Sequence, residues 1–93
     1  MTNKYEVALV LSVANGDEAV NALKEKFNDL IAKNGTVENV DEWGKRRLAY
    51  PINAETEGYY IFTTMTSEPS LPAELERIAG ITEGVLRIMV IRK

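Results

Sequence analysis

The residues best suited to chemistry stand together in Gly44-Lys45-Arg46-Arg47-Leu48-Ala49-Tyr50-Pro51-Ile52. Consecutive cations of this kind can meet phosphate oxygens, contacts that supply affinity and positioning rather than reading of a base sequence. Leu48, Tyr50 and Ile52 alternate with Arg47, Ala49 and Pro51, the period of two that sends successive side chains to opposite faces of a strand. Pro51 has no N–H to give to a ladder, so this strand belongs on a sheet edge. Charge and proline on an edge strand have a second use, preventing sheet-to-sheet aggregation, which needs no ligand.

Other chemistry is poorly supplied. The chain has no cysteine and no histidine, which excludes disulfides, iron–sulfur clusters and thiol nucleophiles and removes the commonest metal ligand and general base. Ser12, Ser67 and Ser70 have no evident base to activate them. Glu38, Asp41 and Glu42 read as a solvated strand edge rather than an acid–base pair or a magnesium site. The expectation is a protein that is not an enzyme, with no metal, no cofactor and no small-molecule substrate.

The elements that position the cations follow from the rest of the chain. Its 93 residues predict a single domain over 1–93 with one core. Hydrophobic residues at 45% and charged ones at 27% are the proportions of a soluble globule. No apolar run approaches the roughly 20 residues of a spanning helix. Met1-Thr2-Asn3-Lys4 leads straight into a strand pattern, without the features of a signal or transit peptide, which predicts a cytoplasmic protein and no membrane contact. The net charge of −3 is unevenly spread: Lys45, Arg46 and Arg47 form one basic island, and Arg87, Arg92 and Lys93 a second, in an acidic background. A protein that bound nucleic acid through its overall field would be basic throughout, so this one can use only a patch, with help from another protein.

Tyr5, Val7, Leu9 and Leu11 alternate with Glu6, Ala8, Val10 and Ser12 as a first strand over 4–12. Asn15-Gly16-Asp17-Glu18 supplies a turn, a cap and acidic residues for the start of a helix. Val20, Leu23, Phe27, Leu30 and Ile31 form its apolar stripe, and Gly35 is expected to end it in the left-handed conformation. Residues 36–43 alternate loosely and lead through a bulge at Gly44 into the cationic strand. A turn over Asn53–Gly58 joins it to a third strand, Tyr59–Thr66, in an antiparallel hairpin. Leu71, Leu75, Ile78 and Ala79 mark a short helix stopped by Gly80, and Val85–Ile91 is the last strand.

That order predicts an α+β, ferredoxin-like βαββαβ sandwich: a four-stranded antiparallel sheet with two helices on one face, strands one and three central. The opposite sheet face then has nothing to cover it. If Val7, Leu9, Ile61, Met65, Ile88 and Val90 face the helices, then Ala8, Val10, Tyr60, Phe62, Arg87, Met89 and Ile91 face outward, an apolar surface with a cationic spot that suits a protein partner. Small acylphosphatases share the element order, but Ser12-Val13-Ala14-Asn15-Gly16 lacks the arginine of their phosphate cradle. RNA-recognition-motif domains share it too, yet Glu57-Gly58-Tyr59-Tyr60-Ile61-Phe62 matches their stacking motif only in its glycine and aromatics.

Lys4-Tyr5-Glu6, Gly35, Trp43–Ile52, Gly58-Tyr59-Tyr60 and Val85–Val90 together resemble the family of bacterial small-subunit ribosomal protein six, over nearly the whole chain. The resemblance implies a non-catalytic protein that pairs with the basic small-subunit protein eighteen and binds the central domain of small-subunit ribosomal RNA. On that basis Lys45, Arg46 and Arg47 are the first candidates for RNA or partner contact and Arg87 the next, with Lys4, Arg92 and Lys93 added through charge and location. Val10, Tyr60, Phe62, Met89 and Ile91 are the expected partner-protein face. Leu48, Tyr50 and Ile52 are assigned to holding the edge strand, while Trp43 is open between a partner contact and a cover over a helix end. Many relatives continue past the last strand into a charged tail, whereas this chain stops at Lys93. The alternative reading is a regulatory or binding module that homodimerises through the open face.

Overall fold

Alternation from Tyr5 to Leu11 makes a strand because only the pleated backbone sends every second side chain to one side. In the computed structural model, which describes residues 2–52 and 55–93, that strand is β1 (Asn3–Ser12). It is followed by α1 (Asp17–Asn34), β2 (Gly35–Ile52), β3 (Glu55–Ser67), α2 (Ser70–Ile81) and β4 (Val85–Arg92). The strands form one antiparallel sheet in the order β2-β3-β1-β4, so β1 and β3 are central and the cationic strand lies on an edge, as Pro51 requires. The βαββαβ expectation is borne out.

Tyr5, Val7, Leu9 and Leu11 of β1 and Ile61 and Met65 of β3 join Val20, Phe27 and Ile31 of α1 and Leu71, Leu75 and Ala79 of α2 in one core. Both helices therefore lie on the same side of the sheet. Each presents one apolar stripe, and Ile88 and Val90 of β4 pack beside them.

Four local expectations need correction. The N-cap of α1 is Gly16, with no side-chain capping bond, so Asp17 and Glu18 act through the helix dipole alone. Gly35 is extended, at φ −168, and opens β2. Its glycine is needed for close approach instead: a Cβ there would lie 2.6 Å from the carbonyl oxygen of Thr66. The expected turn over 53–58 is shorter, because Glu55–Gly58 already belongs to β3, while Asn53 and Ala54 lie outside the described residues. Gly80 does not stop α2, which runs to Ile81 and ends where the Thr82 hydroxyl donates to the Ile78 carbonyl and the Thr82 N–H to that of Ala79.

Candidate functional site

The open side of the sheet carries Ala8 and Val10 from β1, Tyr60 and Phe62 from β3, and Arg87, Met89 and Ile91 from β4, because Ala8 is paired with both Phe62 and Met89 and Val10 with both Tyr60 and Arg87. It is not wholly bare. Between the pairs Arg47–Glu57 and Ile52–Glu55, four residues of β2 stand against one of β3, so Leu48-Ala49-Tyr50-Pro51 leaves the ladder. This arch lies over the end of the open face. Leu48 and Val10 meet above Gly58, where an added Cβ would sit 2.6 Å from Val10 and 3.4 Å from Leu48.

Val10 is thus only 6% exposed, which corrects its place on an accessible partner face. Met89 and Ile91 are exposed there as expected, and Tyr60 and Phe62 half-buried. Between arch and sheet runs a groove of about 270 Å³ floored by Ala8, Val10, Tyr60, Phe62 and Met89, across which the Arg87 guanidinium donates to the Tyr50 hydroxyl at 3.3 Å. Leu48, buried on this side and outside the main core, does hold the strand down, whereas Tyr50 is 60% exposed and forms the groove's rim.

The candidate cations do not form one patch. Lys45 is paired with Tyr59, whose ring packs toward the helices, so Lys45 points to the helix side. Arg46, opposite Gly58, turns to the open side, with its guanidinium 5.9 Å from the centre of the Trp43 ring. Arg47, opposite Glu57, has the parity of Lys45, yet it lines a cleft at the sheet edge together with Arg46, Asp41, Glu42, Trp43 and Tyr60. Lys4, Arg92 and Lys93 lie at the other end of the sheet. Gly58 marks one end and Thr66, paired with Lys4, the other, eight residue steps along β3 and about 27 Å at the usual strand rise.

The distal cations also have partners: Lys4 pairs with Glu38 at 3.1 Å and Lys93 with Glu6 at 3.5 Å, while Arg92 donates to Asn3 at 3.0 Å. Arg92 is paired with Tyr5 and so points to the helix side, away from Arg87. Among the described residues, Lys45, Arg46 and Arg47 make no ion pair, and no cluster of acidic side chains could hold a metal ion.

Trp43, left open by its sequence, is the extra residue of the bulge between Glu42 and Gly44, made possible by Gly44 at φ 80. The bulge turns the indole onto the open face. Its ring centre lies 4.6 Å from that of Phe62 at a tilt of 53°, and its N–H donates to Asp41 at 2.9 Å. It covers no helix end. Periodicity could not find this contact, because a bulge resets the alternation.

The next residue back works on the other side. Glu42 accepts from Lys24 of α1 at 2.8 Å and from the Tyr59 hydroxyl at 2.7 Å, tying helix to hairpin. The Lys24 ammonium, then Tyr59, holds the Glu42 carboxyl below its ordinary range. Its folded-state pKa is therefore lower than its unfolded one, and ionised Glu42 stabilises the fold above the ordinary glutamate value of about 4.3, a contribution lost as pH falls through the folded value. Glu38, bonded first by Thr66 and then by Lys4, is shifted the same way. In acid denaturation Glu42→Gln is expected to lose less stability than the parent between neutral pH and pH of about 3. Parallel curves would show that the Lys24–Glu42 contact contributes nothing in solution.

A family model described as ribosomal protein S6 matches residues 4–92. The chain is 51% identical over 88 residues to small ribosomal subunit protein bS6 of Clostridium novyi (strain NT), covering 94% of this chain and 93% of that one. To bS6 of Clostridium perfringens (strain SM101 / Type A) it is 48% identical over 91 residues, covering 97% and 96%. The crystal structure of 30S ribosomal protein S6 from Thermotoga maritima matches the fold with a TM-score of 0.92, covering 100% of this chain and 89% of that one at 23% identity.

Proposed function

The chain belongs to the ribosomal protein S6 family, and from that premise we propose that it is a non-catalytic, single-domain component of the small ribosomal subunit in the cytoplasm, binding the central domain of the ribosomal RNA jointly with small-subunit protein eighteen. The observation that carries the joint reading is the groove on the open sheet face, bordered by Arg87 and ending near Arg46 and Arg47, which make no ion pair among the described residues. Its apolar floor suits a protein and its cationic margin suits phosphate. Tyr60, Phe62, Met89 and Ile91 are the protein-facing residues of this reading, and Arg46, Arg47 and Arg87 its main RNA-facing cations. Lys45 reaches RNA only from the helix side of the edge. Lys4, Arg92 and Lys93 offer a second, distant contact, for which Lys4 and Lys93 must first give up their carboxylates.

A mildly acidic protein with so local a basic patch should bind RNA weakly by itself. Affinity for a central-domain RNA fragment, measured with and without protein eighteen, is expected to rise roughly tenfold or more when the partner is present. Equally tight binding by this chain alone contradicts the proposal. A stable homodimer in sedimentation, indifferent to protein eighteen, would replace it with the reading of a self-associating module.

A further inference from the structure

We propose that Trp43 is a stacking platform for one unpaired base of the bound RNA, with Arg46 and Arg47 holding the adjoining phosphate. This inference rests on the function proposed above and divides the open face: RNA at the sheet edge, protein in the groove.

The geometry of the edge cleft is that of a prepared ring. Phe62 supports the indole from the sheet, Asp41 fixes its N–H, and Gly44 sets the bulge that carries it, so the ring is held at three points while half of the residue's surface, 50%, stays exposed. A large aromatic ring left that open is a costly exposure for a monomer and a useful one for a base, since every base offers a π-face to stack on. Ordering the ring before binding removes part of the entropy that stacking would otherwise lose.

Charge favours RNA over a protein at this spot. Both carboxylates that line the cleft are engaged, Asp41 by the indole N–H and Glu42 by Lys24 and Tyr59. Arg46 and Arg47 have no ion pair among the described residues, Arg46 resting only against the Trp43 ring at 5.9 Å, so the charges of the cleft left without a counter-ion are cationic. Guanidinium groups next to a flat ring accept a phosphate and its base together. The groove beyond Phe62 and Tyr60 differs: its walls are aliphatic and aromatic, and its one arginine stands at the margin, bonded to the neutral Tyr50 hydroxyl.

The test compares Trp43→Phe with Trp43→Leu, both assembled with protein eighteen and titrated with the central-domain RNA fragment. Leucine keeps apolar bulk but cannot stack, and phenylalanine can. Trp43→Leu is expected to bind RNA roughly tenfold to a hundredfold more weakly, the range of one lost base–aromatic stack, and Trp43→Phe at least several-fold better than Trp43→Leu. Affinity of each variant for protein eighteen without RNA should match that of the parent, which also reports that the variants fold. Equal RNA binding by the two variants overturns the inference. So does a loss of affinity for protein eighteen with RNA affinity of the assembled pair unchanged, which would make Trp43 a protein anchor. Failure of the unsubstituted pair to bind RNA defeats the proposed function itself, an outcome separate from either of these.

Discussion

Replacing Arg46 and Arg47 together by alanine is expected to weaken RNA binding by the assembled pair by roughly tenfold to a hundredfold and to flatten its salt dependence. If each guanidinium neutralises one phosphate, the slope of log affinity against log salt should fall in magnitude by about 1.4 to 1.8, the counterions two contacts release. Lys45→Ala is expected to change the slope by well under half as much, since Lys45 turns to the helix side with Tyr59 and, unlike Arg47, which has the same parity opposite Glu57, does not line the edge cleft. The contrast matters because the three cations are adjacent in sequence and indistinguishable by charge. A slope unchanged by the double substitution would leave these arginines the task of keeping the edge of β2 from pairing with another sheet. Equal effects at Lys45 and Arg46 would instead mean that RNA wraps around the edge to both faces.

The largest effect on stability is expected at Leu75→Ala. Leu75 is fully buried, at 0% exposure, and joins α2 to the core that Leu11 and Met65 anchor from the sheet. It also borders a cleft of about 450 Å³ between α1 and the sheet, together with Val7, Phe27, Ile31 and Ile61, so the space it vacates would add to one already there. Truncation at such a site costs about 2–5 kcal/mol, the transfer of the lost methyl groups plus the void they leave. For a chain of this size that lowers the melting temperature by roughly 10 °C or more. Ile81→Ala, at the 76% exposed end of the same helix, should change stability by less than about 0.5 kcal/mol. Denaturant titration of both checks the packing: a loss below about 1 kcal/mol at Leu75 would mean that α2 is not docked on the sheet as described.

These effects differ in how far they could be foreseen. The burial of Leu75 was legible, because its spacing from Leu71, Ile78 and Ala79 falls on one helical stripe. The opposed orientation of Lys45 and Arg46 was legible only as parity. Which of them took which face depended on the bulge, since a one-residue shift exchanges the two sides of a strand. The glycine that permits the bulge was visible at position 44, but the bulged residue, Trp43, was not.

By itself, the sequence determined the order of the elements, the faces of β1, β3 and β4, the edge position of the cationic strand and the lack of thiol and imidazole chemistry. All of these rest on residue type and on periods of two or 3.6 residues that neighbours along the chain express. Only the tertiary structure decided that Leu48–Pro51 arches off the ladder and buries Val10, that Trp43 lies on Phe62, and that the second basic island is split, Arg87 standing near the arch and Arg92 and Lys93 at the other end of the sheet. Each of those depends on register between strands distant in sequence, a property of pairs of segments that no single segment carries.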